Sequence, residues 1–409
     1  MGKDQLVLDI KKVREDFCLN RSVRGKPFVY LDSAASALKP KMVVDVVSKH
    51  YREEASNIHR GVHFFSEQAT TRYEQCREKV RDFINASSSN EVIFTSGTTA
   101  SINLVAMSYG SFLNVGDEVI LSEMEHHSNI VPWQMLSERT GCVIKVVPIN
   151  NEGELIYDKF LELLSPKTKI VSMVWCSNSL GTVNPIKNII RDAHNVGAVV
   201  LIDAAQAIVH EDVDVQSLDC DFLAFSGHKL YAPTGVGVLY GKRSLLDKMP
   251  PVIGGGDMIK TVTFEKTTYA DVPAKFEPGT PHIAGVLGLG AGIDYLKTFD
   301  LGDVRRYEKQ ILHKAMKVVG EIPGVRLVGT AEEKSSVVSF VVDGIHPHDV
   351  GSILDSEGVA VRTGHHCCQP VMDRLGLSGT VRASFCLYND ESDIAALVNG
   401  IRKAQEIFS

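Results

Sequence analysis

Residues 198–206 read AVVLIDAAQ, and residues 221–229 read DFLAFSGHK. Each stretch is a short apolar run that ends in polar side chains, which is typical of a buried strand that leads into a functional loop. Helical patterns at 100–107 and 186–195 lie between further runs of this kind. Those further strand candidates are residues 91–95, 118–122, 143–148, 169–174 and 235–240. Strands that alternate with helices predict an α/β fold with a mostly parallel seven-stranded sheet flanked by helices.

The pattern changes after about residue 290. Helical patterns and short apolar runs now follow one another without strict alternation, which indicates an α+β arrangement. The helical segments are 301–322, 349–357 and 391–407, and the strand candidates are 325–328, 337–342 and 360–362. We therefore predict a large domain over residues 25–290 and a small α+β domain built from residues 1–24 and 291–409.

Composition narrows the class of protein. The chain has 409 residues, 44% of them hydrophobic and 23% charged, with a net charge of −7. This balance is that of a soluble globular protein, and without a basic block it argues against nucleic acid as a partner. The longest apolar runs are too short for a membrane span, and the N-terminus lacks the apolar core of a signal peptide. Eight dispersed cysteines favour free thiols in a reducing compartment, either the cytoplasm or an organelle stroma.

Asp203 and Lys229 end the two strands quoted first. An Asp at a strand end can pair with the protonated ring nitrogen of a pyridinium cofactor, and a Lys can form a Schiff base with an aldehyde. Taken alone, Asp203 could cap a helix and Lys229 could be a surface residue. Lys229 follows Asp203 by about 26 residues, one strand later, and this spacing favours a joint role.

Two further polar motifs follow predicted strands. Residues 95–99 read TSGTT before a helix, and hydroxyls with free backbone N–H groups at a helix start can hold an anion or simply cap the helix. Residues 125–129 read EHHSN, where an imidazole can stack on a flat ring, move a proton, or make ordinary loop hydrogen bonds. No CxxC or HExxH spacing accompanies the histidines, so zinc is not favoured.

The loop at residues 362–370 reads RTGHHCCQP. Gly364 and Pro370 restrict the backbone, and neighbouring histidines and an arginine favour the thiolate form of a cysteine. Cys368 adds a second thiol directly after Cys367. It is either a bystander or a competitor that forms a disulfide or accepts sulfur, and the strained ring of an adjacent-cysteine disulfide favours the bystander.

Over residues 5–409 these motifs resemble the fold-type I, pyridoxal-phosphate-dependent transferases of the class V aminotransferase family. Within that family the chain resembles the group II, SUF-type (SufS-like) cysteine desulfurases. The matching motifs are YLDSAA (30–35), HRGVH (59–63), GTT (97–99), DAAQ (203–206), SGHK (226–229), EPGTP (277–281) and RTGHHC (362–367). Two positions depart from the family pattern: Cys368 stands where the family usually has a small residue such as alanine, and Ser96 stands at the phosphate turn where a related enzyme carries arginine.

The resemblance implies how pyridoxal 5′-phosphate would be bound. Lys229 would hold the cofactor as a Schiff base, Asp203 would pair with the ring nitrogen, and Gln206 would bond the phenolic oxygen. His126 would stack on the ring. The implied phosphate ligands are Thr98, Ser226 and His228, with Thr280 from the second subunit of a homodimer. Asn178 and Arg382 would bind the substrate carboxylate, with Arg362 beside the nucleophile Cys367.

The implied activity is conversion of L-cysteine to L-alanine, with a persulfide left on Cys367 and with Lys229 and His126 moving protons. The sulfur would serve iron-sulfur cluster assembly in the SUF pathway, drawn off by an acceptor protein of SufE or SufU type. Three alternatives remain at this point: a selenocysteine lyase that uses the same residues, a C–S lyase that needs no Cys367, and a non-catalytic scaffold. The presence of both Lys229 and Asp203 argues against the scaffold.

Overall fold

The computed structural model of the chain describes residues 8–408. Residues 1–7 and 409, which the sequence assigns to the small domain, lie outside this part. Seven strands form the larger sheet. They are β1 (Val92–Thr95), β2 (Glu118–Ser122), β3 (Val143–Val147), β4 (Thr168–Val174), β5 (Val199–Asp203), β6 (Phe222–Ser226) and β7 (Gly237–Gly241).

The strand order of this sheet is β1-β7-β6-β5-β4-β2-β3. Strands β6, β5, β4, β2 and β3 pair in parallel, and β7 is antiparallel to both of its neighbours. Every residue of β2 and β6 is buried. The prediction of a mostly parallel seven-stranded sheet is confirmed.

Helices cover both faces of the larger sheet. Successive residues of β2 show this, since Ile120 belongs to one hydrophobic cluster while Val119 and Leu121 belong to another. The helices of this part are α1 (Ile10–Asp16), α2 (Lys41–Lys49), α3 (Phe64–Phe83), α4 (Thr98–Ser108), α5 (Val131–Thr140), α6 (Tyr157–Leu163), α7 (Ile186–Asn195), α8 (Ala207–His210), α9 (Val215–Leu218), α10 (Arg243–Lys248) and α11 (Ile283–Leu296). Strands buried on both faces need continuous apolar sequence, which explains the unbroken runs seen in the sequence.

A second sheet follows along the chain. Its strands are β8 (Val325–Val328), β9 (Val337–Val342), β10 (Arg362–Gly364) and β11 (Thr380–Ser384), in the order β8-β9-β11-β10, all antiparallel. The accompanying helices are α12 (Leu301–Gly320), α13 (Pro347–Ser356), α14 (Gln369–Leu375) and α15 (Glu391–Phe408). The expectation of a single strand at 360–362 is wrong. Val359–Ala360 pairs in parallel with Val29–Tyr30, and only Arg362–Gly364 joins the second sheet.

The start of the chain contacts both parts of the molecule. In and after α1, Arg14 pairs with Asp393 of α15 at 2.8 Å, and the Phe17 ring packs against Tyr231 and Tyr388. The boundaries of the two domains stay a prediction. No helix within residues 8–408 is both long enough and apolar enough to cross a membrane.

Candidate active site

A cavity of about 470 Å³ opens where β5 and β6 end and α4 begins. Ligands of parallel sheets bind at this edge, because the loops that follow the strands converge there. The structure brings all but one of the predicted site residues to the cavity wall. They are Thr98, His126, Asn178, Asp203, Gln206, Ser226, His228, Lys229, Arg362, Cys367 and Arg382. The exception is Thr280, which is exposed and does not line this cavity.

Asp203 and Lys229 form the charged centre of the cavity. The Asp203 carboxylate accepts a hydrogen bond from the backbone N–H of Ala205 at 2.9 Å, and burial raises the pKa of this carboxyl group. Burial also lowers the pKa of Lys229, an effect that the charge of Asp203 opposes. Among the described residues no acceptor hydrogen-bonds Nζ of Lys229. An amine without a partner beside a buried carboxylate is suited to covalent attachment of an aldehyde.

Thr98 and Ser226 meet at the N-terminus of α4. The backbone N–H of Thr98 donates to Oγ of Ser226 at 2.8 Å, and the two hydroxyl oxygens also lie 2.8 Å apart. Gly97 directly precedes Thr98 and has a φ of +148°. A Cβ on Gly237 would lie 2.4 Å from the Cα of Gly97. Only glycine at 237 therefore lets β7 approach this turn. The hydroxyls and the helix dipole together form a cradle for a phosphate.

His126 lies on the wall of the cavity as a neutral ring. Its Nδ1 accepts the backbone N–H of Ser128 at 3.0 Å, which places the ring proton on Nε2. Burial lowers the pKa of His126 to about 4, and the charges of Lys229, His127 and Arg382 act in the same direction. The ring is therefore uncharged near neutral pH and can donate through Nε2.

Gln206 and His228 lie at the edge of the cavity that faces residues 34–39. Nε2 of Gln206 donates to the carbonyl of Ala34 at 2.7 Å. The carbonyl of His228 accepts from Nζ of Lys39 at 2.9 Å, and burial lowers the pKa of the His228 ring to about 4. These contacts tie the chain that enters the larger sheet to the turn that carries Lys229.

Asp32 holds two arginines and was not singled out from the sequence. Arg382, 2% exposed, contacts Oδ1 of Asp32 at 3.2 Å, and the half-exposed Arg362 contacts Oδ2 at 2.8 Å. Burial lowers the pKa of Arg382, and the carboxylate of Asp32 opposes this shift. Nε of Arg382 is buried without a hydrogen-bond partner among the described residues. Arg382 lines the cavity, and a guanidinium group at this place is suited to a substrate carboxylate.

The two thiols of the loop between β10 and α14 differ sharply. Cys367 is exposed at the cavity, whereas Cys368 is fully buried in an apolar cluster with Val174, Val371 and Met372. Sγ of Cys368 lies 3.1 Å from Oδ1 of Asn178, and burial raises the pKa of this thiol to about 12. These contacts favour the interpretation of Cys368 as a bystander.

The loop is attached to the larger sheet through Asn178 and His127. Nδ2 of Asn178 donates to the carbonyl of His366 at 2.8 Å. The backbone N–H of His127 donates to the carbonyl of Cys367 at 2.8 Å, and Nε2 of His127 accepts from the backbone N–H of Gln369 at 3.0 Å. The residues of the EHHSN motif alone do not distinguish His126 from His127, whereas the family resemblance assigns a role only to His126. In the structure His126 accepts from the nearby Ser128, whereas His127 contacts the distant cysteine loop.

Within residues 8–408 no cluster of three or more His, Cys, Asp or Glu side chains is arranged to hold a metal ion.

The class of protein follows from comparison with known families. The profile of the class-V aminotransferases matches residues 29–397. The chain belongs to this family.

Individual relatives narrow the comparison further. A cysteine desulfurase of Synechococcus elongatus is 49% identical over 97% of this chain, which spans 64% of that longer protein. A probable cysteine desulfurase of Halalkalibacterium halodurans is 48% identical, with 95% of this chain and 96% of that protein covered. The crystal structure of the Escherichia coli cysteine desulfurase CsdA, in an S-sulfonic acid form, superposes with a TM-score of 0.92 at 40% identity, covering 98% of this chain and 100% of that one.

Proposed function

We propose that the chain is a pyridoxal-phosphate-dependent cysteine desulfurase, which converts L-cysteine to L-alanine and leaves the sulfur as a persulfide on Cys367. One observation carries the proposal. The exposed thiol of Cys367 and the amine of Lys229 line the same cavity, although they come from different sheets. A lysine and a carboxylate support many reactions of pyridoxal phosphate, but a thiol at the mouth of the cavity adds an acceptor for sulfur.

The residues of the cavity fit the cofactor. Lys229 would attach its aldehyde, Asp203 would hold the ring nitrogen protonated, and His126 would lie against the ring. Thr98 and Ser226 would bind its phosphate at the start of α4, with His228 as a further phosphate ligand. When bound, pyridoxal phosphate withdraws the electron pair left at the substrate Cα into its pyridinium ring.

Each remaining step uses a group of this chain. Arg382 binds the substrate carboxylate through its guanidinium group, and the second N–H of the Asn178 amide can assist. Once displaced by the substrate amine, Lys229 removes the Cα proton, because burial lowers the pKa of its amine. The Cys367 thiolate then attacks the substrate sulfur, so that an S–S bond forms and the Cβ–S bond breaks. The electron pair of the broken bond stays with the Cβ carbon, which takes up one proton to become the methyl group of alanine.

Two variants test this assignment. The wild-type protein should show a band near ~420 nm that borohydride reduces onto Lys229, and Lys229→Ala should lack it. Cysteine should convert Cys367 to a persulfide that mass spectrometry detects, and Cys367→Ser should form neither the persulfide nor alanine. Cys18→Ser, at another exposed thiol, is the control. Full alanine formation by Cys367→Ser would refute the role of the thiol, and formation of pyruvate, ammonia and sulfide in place of alanine would identify a C–S lyase.

We propose L-selenocysteine as a second substrate, bound and deprotonated by the same groups. The C–Se bond is weaker than the C–S bond, and when it breaks with its electron pair left on carbon, selenium leaves as elemental selenium, so that the attack by Cys367 is not required. Cys367→Ser should therefore keep much of its activity on selenocysteine while losing that on cysteine. Equal losses on both substrates would refute this proposal.

We also propose that the active enzyme is a homodimer in which Thr280 completes the phosphate site of the other subunit. Thr280 is exposed in the single chain, and an apolar cavity of about 530 Å³ beside α4 includes the exposed side chains of Met107 and Ile253. Light scattering should give twice the chain mass of 44.8 kDa. Thr280→Val should lower cofactor affinity without changing that mass. A monomer of full activity would contradict the proposal.

The partner of the persulfide is proposed to be a sulfur acceptor of SufE or SufU type, acting in iron-sulfur cluster assembly through the SUF pathway in the cytoplasm. Only residues 365–368 separate β10 from α14, so the thiol sits on a short loop close to the body of the protein. All eight cysteines are free thiols, which suits a reducing compartment. Either acceptor should discharge the Cys367 persulfide faster than dithiothreitol does, and equal rates would argue against a dedicated partner.

A further inference from the structure

We propose that His127 is a positioning residue that fixes where the Cys367 thiol lies relative to the cofactor cavity. The inference rests on the proposed function, because it concerns the nucleophile of that reaction. His126 caps the short helical turn His127–Asn129, and His127 is the first residue of that turn. The turn follows strand β2 of the larger sheet. One residue thus faces the cavity and the next holds the cysteine loop.

His127 contacts the loop at two points, on either side of the buried Cys368. Its backbone N–H donates to the carbonyl of Cys367 at 2.8 Å, and its ring Nε2 accepts the N–H of Gln369 at 3.0 Å. Gln369 is the first residue of α14, and N–H groups at that position have no acceptor within their own helix. The imidazole supplies this acceptor, which requires an unprotonated Nε2 and a proton on Nδ1.

The backbone of the loop explains why such a clamp is needed. His366 and Cys367 have φ values of +54° and +57°, which is a left-handed backbone conformation that residues other than glycine seldom adopt. Two such residues in a row persist only when their surroundings impose the conformation. Because φ sets the direction of the Cα–Cβ bond, a loop that relaxed would move the thiol of Cys367 away from its present place.

Asn178 holds the other side of the same loop. Its Nδ2 donates to the carbonyl of His366 at 2.8 Å. The carbonyls of both left-handed residues are therefore bonded to segments that follow strands of the larger sheet, whereas among the described residues only the ring of His127 accepts the N–H of Gln369. The ring can be removed by substitution while the backbone N–H of residue 127 stays in place.

Two substitutions separate the hydrogen bond from the bulk of the ring. His127→Phe keeps a flat ring but has no acceptor, and His127→Gln places an amide oxygen near the position of Nε2. Amide hydrogen exchange of residues 365–370 is measured without cysteine, with α3 (Phe64–Phe83) as the reference segment. This readout does not depend on the proposed reaction, so failure of the two ideas can be told apart.

In His127→Phe, exchange of residues 365–370 should accelerate about tenfold while α3 stays protected. Its kcat for alanine formation should fall about tenfold with KM nearly unchanged, because the thiol acts after the substrate is bound. His127→Gln should behave like the wild type in both measurements. If His127→Phe also deprotects α3, His127→Ala removes the acceptor without adding volume and takes its place.

Three outcomes would overturn the proposal. The first is wild-type exchange in the variant that lacks an acceptor. The second is faster exchange with unchanged kcat, which would make the clamp irrelevant to the thiol. The third is equal damage in His127→Gln and His127→Phe, which would assign the effect to the shape of the ring.

Discussion

Cys367 and Cys368 are adjacent in sequence, yet iodoacetamide should modify only the first. Burial raises the pKa of Cys368 to about 12. At pH 8 the thiolate fraction of such a group is roughly 10⁻⁴, against roughly a quarter for a thiol with an ordinary pKa of ~8.5. Ionisation alone therefore slows alkylation of Cys368 by about three orders of magnitude, and its complete burial slows the reaction further.

The assay is timed alkylation of the folded, substrate-free protein, followed by digestion and fragment mass spectrometry that resolves the two positions. Cys18, which is exposed, serves as a reference thiol in the same sample. Modification of Cys368 within about tenfold of the rate at Cys367 would refute the reasoning. In that case the loop would open often enough for the second thiol to compete for sulfur.

Stability provides a second measurement of the same thiol. Cys368→Ala loses apolar contacts and the hydrogen bond to Asn178, so the free energy of unfolding should fall by about 1–2 kcal/mol, with the persulfide on Cys367 still formed. The thiol stays protonated in the folded protein while the unfolded chain ionises above pH ~8.5. Above that pH the wild type should lose about 1.4 kcal/mol per pH unit that Cys368→Ala does not lose. Parallel stability curves for the two proteins would contradict the buried state of this thiol.

Two other perturbations address the charges around the cavity. Asp32→Asn should lower the free energy of unfolding in urea by about 3–5 kcal/mol, because Arg382 is left buried without its carboxylate. Arg362→Gln, at the half-exposed arginine of the same carboxylate, should cost at most about 1 kcal/mol, and equal losses would count against this account. Burial lowers the pKa of His126 to about 4 and that of His366 to about 3, so their ring resonances should not titrate between pH 5 and 8. Below pH ~6.5 the unfolded chain protonates these histidines, while both rings stay neutral in the folded protein. Their contribution to the free energy of unfolding is therefore complete above pH ~6.5 and is lost as the pH falls toward 4. A stability profile that is flat between these two pH values would contradict this account.

The strands of the larger sheet could be predicted closely from the sequence. Strands β5 and β6 begin one residue later than the apolar runs that predict them and end at the same residues, because a strand buried on both faces is apolar throughout. The run at 360–362 misled for a physical reason. Its first half continues a parallel pairing with Val29–Tyr30, which lies more than 300 residues away and leaves no local signal.

The residues of the candidate site also fall into two groups, those with a local sequence signal and those that depend on a distant partner. Lys229 and Asp203 could be recognised because each ends a strand, and strand ends of a parallel sheet share one edge. The role of Asp32 could not be recognised, because the motif at 30–35 carries no sign that its carboxylate meets Arg382, 350 positions away. The contact of His127 with the cysteine loop could not be predicted from the sequence either, because the loop follows a strand of the other sheet.

The division of the cavity between two sheets has a consequence for how its chemistry can be altered. The carboxylate ends and the amine follows a strand of the parallel sheet, whereas the sulfur acceptor lies on a four-residue connection between β10 and α14. Cys367 is exposed on this connection, whereas its neighbour Cys368 is packed in an apolar cluster. A laboratory that seeks a new outcome from the same cofactor frame can therefore vary residue 367 and keep both the frame and the buried side chains that hold the connection.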